Sequence, residues 1–479
     1  MLFNSLGFIL FFLPLTLFIW FRLKRRDDKF LFLTLASLFF YGYWDYRFVS
    51  LMLVSIFIDY WCGVKISKAK LKGQISKSKH WMLGSVISNL TILGVFKYYD
   101  FFIDSLTIIF AENTIATYRL DIILPVGISF YTFQSMSYSI DLYRNDATKV
   151  RNLLHFSAYV SMFPQLIAGP IVRYKEIASQ FSNNTFSLSY SRLYEGFTFF
   201  IIGLFKKLVV ADYFAQYSDL YFNEVIEPNF ISSWIGAFSY AFQIFFDFSA
   251  YSEMAVGIGL MLGFNFPKNF NRPYIAKSFS DFWRRWHITL SEFLRDNLYI
   301  PLGGNKNGKI NTYFNIFITM LLGGLWHGAS SLFLIWGALH GFYLLIERAI
   351  KPSFEGINKY FYSILVFLLV CIAWVFFRST NIDFAFLTIK AMFAQPLIWF
   401  ELGSYKAIGL DFPLVFRFAG GLKHIFIVFA MMFSIWFIPS TYNLINKFSS
   451  KVGAIILGLI FGYLILIIQK PSPFIYFQF

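Results

Sequence analysis

Residues 313–328 read YFNIFITMLLGGLWHG, and they decide which solvent this chain folds in. No charged residue interrupts the run from Tyr313 to Trp326. A helix rising 1.5 Å per residue carries His327 about 20 Å from Tyr313, deep in or across a bilayer. An ionisable side chain at that depth is costly, so it is a functional candidate by default. Gly324 lies one turn before His327 on the same face, with Gly323 and Gly328 flanking. Such small residues leave room for another helix or for a substrate chain beside the imidazole. The alternative is a histidine that hydrogen-bonds between packed helices.

The rest of the chain is written the same way. Of 479 residues, 57% are hydrophobic and 14% charged, and phenylalanine alone occurs 65 times. Soluble domains carry about 25% charged residues, and no single soluble core could bury this much apolar surface. The net charge of +15 suggests a nucleic-acid partner only until its distribution is read. The cations fall in short stretches between apolar segments, the pattern of the positive-inside rule, and nucleic-acid binding is not expected. The two cysteines, Cys62 and Cys371, sit in apolar segments, and the six histidines form no HExxH pattern. Neither a disulfide framework nor a metal site is indicated.

Apolar stretches long enough to cross a membrane run near 5–22, 30–44, 48–64, 81–110, 122–143, 193–222, 230–263, 312–327, 330–347, 358–377, 425–440 and 452–469. Two more, near 155–172 and 380–400, are broken by proline or polar residues and read as re-entrant or interfacial. The stretch from Phe8 to Trp20 has no basic residue before it and several after it, with no small-residue cleavage site. It reads as a retained helix with its N-terminus outside. The loop 65–80 holds Lys65, Lys68, Lys70, Lys72, Lys77 and Lys79 and no acid, which marks it cytoplasmic; the segment 112–121 then falls outside. The expected fold is an all-α polytopic membrane protein of about 11–12 transmembrane helices plus re-entrant and interfacial ones. It is expected as one domain over 1–479, with a motif-bearing core at about 120–345 and divergent helices over 350–479.

The longest polar stretch, 268–310, carries eight Lys or Arg against three Asp or Glu. Within it, Phe279, Phe282, Trp283, Trp286, Leu290, Phe293 and Leu294 recur at three- and four-residue spacing. That pattern predicts an amphipathic interfacial helix over 279–298. On such a helix His287 shares a face with Arg284, Ser291 and Arg295, and a neighbouring cation would favour the neutral imidazole a general base needs. The bland alternative is an interfacial histidine among tryptophan anchors. His340, in Trp336-Gly337-Ala338-Leu339-His340-Gly341, echoes the setting of His327, with Trp326 before that histidine and glycine after it. His80, His155 and His424 sit at segment ends or beside basic residues and are read as structural.

Two polar clusters interrupt apolar segments. In the first, Gln243, Asp247, Ser249, Tyr251 and Glu253 lie within eleven residues. Asp247 and Tyr251 share a helix face, as do Ser249 and Glu253. They line a polar path or tie helices together, since buried polar groups need partners. In the second, Leu124 to Gln134 precedes Asp141 and Arg144, and Pro164 and Pro170 bracket Gly169. That spacing forbids a regular spanning helix, so the backbone there must be buried in protein or line a cavity.

Taken together, SLFFYGYWDYRFVSLMLVSIFIDYWCG (37–63), LPVGISFYTFQSMSYSIDLYR (124–144), FPQLIAGPIVRY (163–174), GLFKKLVVAD (203–212), QIFFDFSAYSEMAVGIG (243–259), NRPYIAKSFSDFWRRWHITLS (271–291), GGLWHGAS (323–330) and LIWGALHG (334–341) resemble the membrane-bound O-acyltransferase family. The resemblance is to its bacterial branch of alginate and peptidoglycan O-acetyltransferases and covers most of the chain up to about 350. It implies a curved bundle around a central tunnel in the bacterial cytoplasmic (inner) membrane. It places His327 at the family's catalytic histidine and His287 at the second histidine of the motif. It further implies acyl transfer outward to a separate extracytoplasmic transferase of the SGNH type, which modifies the polysaccharide.

The expected reaction is transfer from a thioester, most simply acetyl-CoA as donor substrate, with no permanently bound cofactor. His327 would be general base on the incoming hydroxyl, or a transient acyl carrier. His287 would orient or assist. Gln243, Asp247, Ser249, Tyr251, Arg284, Gly324, Trp326 and His340 are candidates for lining the tunnel or holding the cofactor. No GxSxG motif occurs, so a self-contained serine esterase is not expected. The competing readings are a proton-coupled transporter, and a scaffold that only recruits the outer transferase.

Overall fold

The computed structural model describes residues 1–110, 114–182, 186–350, 358–394, 421–468 and 471–477. Residues 112–113 of the outward segment, 395–400 of the second broken stretch and residue 469 of the last span lie outside the described residues. Among the described residues every regular element is helical. This is an all-α polytopic membrane protein, as expected.

Among the described residues, four helices are long and apolar enough to cross a membrane: Arg47–Leu71, Phe230–Leu262, Ser331–Ile350 and Lys359–Arg378. Other expected spans occur as shorter or jointed helices. The 81–110 span is Ile75–Leu93 and Tyr99–Phe110, joined by a π-helical turn over Gly94–Tyr98. The 193–222 span is Tyr190–Phe205 and Asp212–Phe222, joined by a π-helical turn over Lys206–Ala211. In the 122–143 stretch the helix begins only at Ile128, after Gly127 adopts φ +77°. That glycine lies so close to the Leu166 carbonyl that a Cβ would stand 2.9 Å from the oxygen. Residues 155–172 break as their prolines require: helix Leu153–Ser161 gives way to turns.

The chain divides into two compact units. One comprises Met1–Leu204, Ala250–Lys268 and Lys447–Phe479; the other comprises Phe205–Ser249 and Asn269–Asn446.

Within the first unit, polar side chains are satisfied across helices. Fully buried Asp59 accepts from Ser85 (2.6 Å), Asn89 (2.8 and 2.9 Å) and Ser135. Asp141 pairs with Arg173 at 2.8 Å, both buried; the non-helical 162–173 backbone is buried in protein here, one of the two settings expected for it. Lys70 donates to the carbonyls of Leu142 (2.8 Å) and Tyr143 (2.7 Å), a cation at the negative end of helix Ile128–Arg144. Gly196 and Gly257 meet so closely that a Cβ on Gly196 would lie 2.5 Å from the Gly257 carbonyl oxygen. Such backbone approach is how helices associate where lipid offers no hydrophobic drive.

The second unit holds the histidine motifs. Its centre is an antiparallel pair, Gly308–His327 and Ser331–Ile350, linked by a three-residue turn. Gly324 and Gly337 face each other: a Cβ on Gly324 would stand 2.3 Å from the Phe333 carbonyl oxygen, and one on Gly337 2.5 Å from that of Met320. The room beside His327 that the glycines provide is therefore filled at Gly324 by the neighbouring helix.

Candidate active site

His327 ends helix Gly308–His327 and is buried. Aromatic rings wall it in, with centroids at 5.0 Å for Trp326, 5.0 Å for Trp336 and 5.2 Å for Phe377. The same tryptophans join it to the other two candidates. Trp326 also meets the His287 ring at 5.9 Å, and Trp336 meets His340 at 4.8 Å. The three histidines thus lie along one aromatic cluster, although 40 and 13 residues separate His327 from the other two in sequence.

His287 does not sit within a helix. The expected continuous helix over 279–298 is broken into Phe279–Trp283 and Ile288–Leu294, followed by a π-helical turn over Arg295–Tyr299. His287 occupies the joint, with φ +41° and ψ 56°. A left-handed backbone is disfavoured for a residue with a Cβ, so something outside the helix must hold it there. Backbone bonds with the preceding segment do so. Ile288 N donates to Asn269 O at 2.9 Å, and Asn271 N donates to Arg285 O at 2.9 Å. The helical face expected to place Arg284 and Arg295 beside the imidazole therefore does not exist, and both arginines are exposed. His287 instead meets Phe248 (4.8 Å), Phe270 (6.4 Å) and the Asn269 side chain. Burial, rather than a neighbouring cation, pushes its pKa down to about 3 and keeps it neutral.

His340 is fully buried among Trp283, Phe282, Tyr343 and Trp336. Neither ring nitrogen has a hydrogen-bond partner among the described residues. Seven residues on, Glu347 clamps the start of helix Phe279–Trp283. It accepts from the backbone N–H of Phe279, and from Ser280 through N–H (3.3 Å) and Oγ (2.8 Å). A carboxylate is favoured at that positive helix end, and it fixes Phe282 and Trp283 against His340.

The polar cluster on helix Phe230–Leu262 divides. Asp247 is buried and pairs with Lys207 at 2.7 Å, and Lys207 also meets Asp212 at 2.9 Å. On the π-helical turn Lys206–Ala211, the neighbouring Lys206 bonds Thr441 at 2.8 Å. Gln243 lies one turn before Asp247 and is half-buried. Ser249 turns back to its own helix, at the Phe246 carbonyl (3.4 Å). Tyr251 belongs to the first unit, where Phe3 and Phe474 pack on it at 4.8 and 5.1 Å.

The histidines read as structural each meet a polar partner. His155 meets Asp27 at 2.9 Å, His424 meets Ser239 at 3.0 Å, and exposed His80 meets the Ser76 carbonyl at 2.8 Å. Sequence reading passed over Lys207, Trp336, Phe377, Glu347 and Asn269. A lysine pair inside an apolar run was a legible signal for Lys207. Nothing local marked Asn269, one polar residue in a polar stretch.

The model of the membrane-bound O-acyltransferase family matches residues 39–385, a span that takes in all three histidines. A probable alginate O-acetylase of Pseudomonas syringae pv. tomato is 45% identical over 401 residues, covering 82% of this chain and 75% of that one. The peptidoglycan O-acetyltransferase of Helicobacter pylori is 39% identical over 425 residues, covering 82% and 80%. A teichoic acid D-alanyltransferase of Bacillus subtilis is 28% identical over 224 residues, covering 45% and 56%. By the family model and these identities, the chain belongs to the membrane-bound O-acyltransferase family and is an acyltransferase.

Proposed function

We propose that this enzyme takes an acetyl group from a cytoplasmic thioester, acetyl-CoA, and passes it across the inner membrane for O-acetylation of a cell-envelope polysaccharide of the alginate or peptidoglycan kind. The observation that carries the reading is buried His327, walled by Trp326, Trp336 and Phe377, in a chain 45% identical to a probable alginate O-acetylase. An enclosed imidazole suits removal of a hydroxyl proton in a low-dielectric site. The hydroxyl oxygen attacks the thioester carbonyl carbon, a C–O bond forms and the C–S bond breaks. His327 takes the hydroxyl proton and returns it to the departing thiolate. Exposed Lys277, Arg284, Lys306 and Lys309 supply the positive field that would draw the phosphates of the donor. An SGNH-type extracytoplasmic transferase would receive the group. Membership of an acyltransferase family favours this over the transporter and scaffold readings.

The test is thiol release from acetyl-CoA by protein in nanodiscs, with and without the extracytoplasmic transferase. His327→Ala is expected to lower turnover at least about 10²-fold with an unchanged elution profile. Equal turnover in wild type and His327→Ala would refute the assignment.

A further inference from the structure

Asn269 is buried beside His287, and its side-chain oxygen gathers three contacts. Oδ1 lies 3.1 Å from His287 Nδ1, 3.3 Å from the backbone nitrogen of Thr289 and 3.0 Å from Thr289 Oγ1. The backbone N–H of Thr289 can only donate. The Asn269 atom facing it must therefore be the carbonyl oxygen, and the amide orientation is fixed by the chain itself. An acceptor facing Nδ1 of a neutral imidazole requires the hydrogen to be on Nδ1. The lone pair is then on Nε2.

From this geometry we infer that Asn269 is a positioning residue that holds His287 as the Nδ1–H tautomer, making Nε2 the atom at which His287 accepts a proton or hydrogen bond during transfer. The inference rests on the acyl-transfer reading, in which His287 assists His327. The arrangement is built on backbone as well as side chain. The Asn269 carbonyl takes the Ile288 N–H while the side chain takes Nδ1 and Thr289, so one residue sets both the left-handed turn at His287 and its tautomer. The logic is that of an outer partner orienting a working histidine, whose loss typically costs about 10- to 100-fold.

Two measurements test it. In nanodiscs supplied with acetyl-CoA, from about pH 3 to about pH 9, Asn269→Ala is expected to lower kcat roughly 10- to 100-fold with little change in KM. Asn269→Asp keeps an acceptor at Nδ1 and should retain most of kcat. Its negative charge favours imidazolium, so the acid limb of the profile should move up by about one unit or more. Wild-type kcat and profile in Asn269→Ala would overturn the proposal, as would an Asn269→Asp variant as impaired as the alanine with an unmoved acid limb. Independently, solid-state NMR of wild-type protein with ¹⁵N-labelled histidine, with His287 assigned by its loss in His287→Gln, reads the tautomer directly. Nδ1–H supports the inference and Nε2–H overturns it. Because that spectrum needs no turnover, it separates failure of this proposal from failure of the acyl-transfer reading.

Discussion

Gly324→Ala adds one methyl group where two helices touch, and the outcome follows from the contact distances. The new Cβ would stand 2.3 Å from the Phe333 carbonyl oxygen and 3.0 Å from the Gly337 Cα. Relief to an ordinary carbon–oxygen separation of about 3.3 Å requires the helices to part by roughly 1 Å. The obstacle is backbone on both sides, so no side-chain rotation absorbs the strain. Overpacking of this kind costs about 1–3 kcal/mol. The displacement also reaches the chemistry: His327 is three residues on, and Trp336, next to Gly337, contacts both His327 and His340. A shift of about 1 Å in a reacting group lowers turnover roughly 10²-fold. The assay is thiol release from acetyl-CoA together with the thermal midpoint in nanodiscs. Gly458→Ala is the control, because nothing lies within 4 Å of a Cβ there and the substitution should be neutral or slightly stabilising. A Gly324→Ala protein with wild-type midpoint and turnover would refute the packing argument. A lowered midpoint with intact turnover would refute the coupling to His327.

Two further outcomes are expected. Lys207→Met removes the cation 2.7 Å from buried Asp247 and should destabilise by about 3–5 kcal/mol, read as a lower thermal midpoint; adding Asp247→Leu should recover most of the loss, and a double variant no better than the single one would exclude charge burial as the cause. Folded His287 titrates near 3 and its unfolded form near 6.5, so its contribution to stability is complete above about pH 6.5 and is lost as pH falls toward 3, at up to about 1.4 kcal/mol per unit. The midpoint of wild type should therefore fall more steeply on acidification than that of His287→Gln, and parallel curves would contradict it.

What the sequence determined was the solvent, the family and the positions proposed to carry the chemistry. Uncharged runs such as Tyr313 to Trp326 fix a helical membrane protein, because a bilayer tolerates few other ways of satisfying the backbone. A histidine closing such a run, set among glycines, pointed to His327 without any structure, and the ordered motifs pointed to the family. What it missed were features decided by residues distant in the chain. Periodicity ran unbroken through Trp283-Arg284-Arg285-Trp286-His287, and no local residue forbade a helix there. The break is imposed by hydrogen bonds to Asn269 and Asn271, 14 to 20 residues upstream, which repay a left-handed backbone that local propensity opposes. The partnership of Lys207 with Asp247 spans 40 residues, and the meaning of Gly324 depended on which helix would lie against it. Apolar length is a property of the chain alone, whereas a turn held by cross-chain hydrogen bonds and a ring held by its neighbours exist only once the helices have packed.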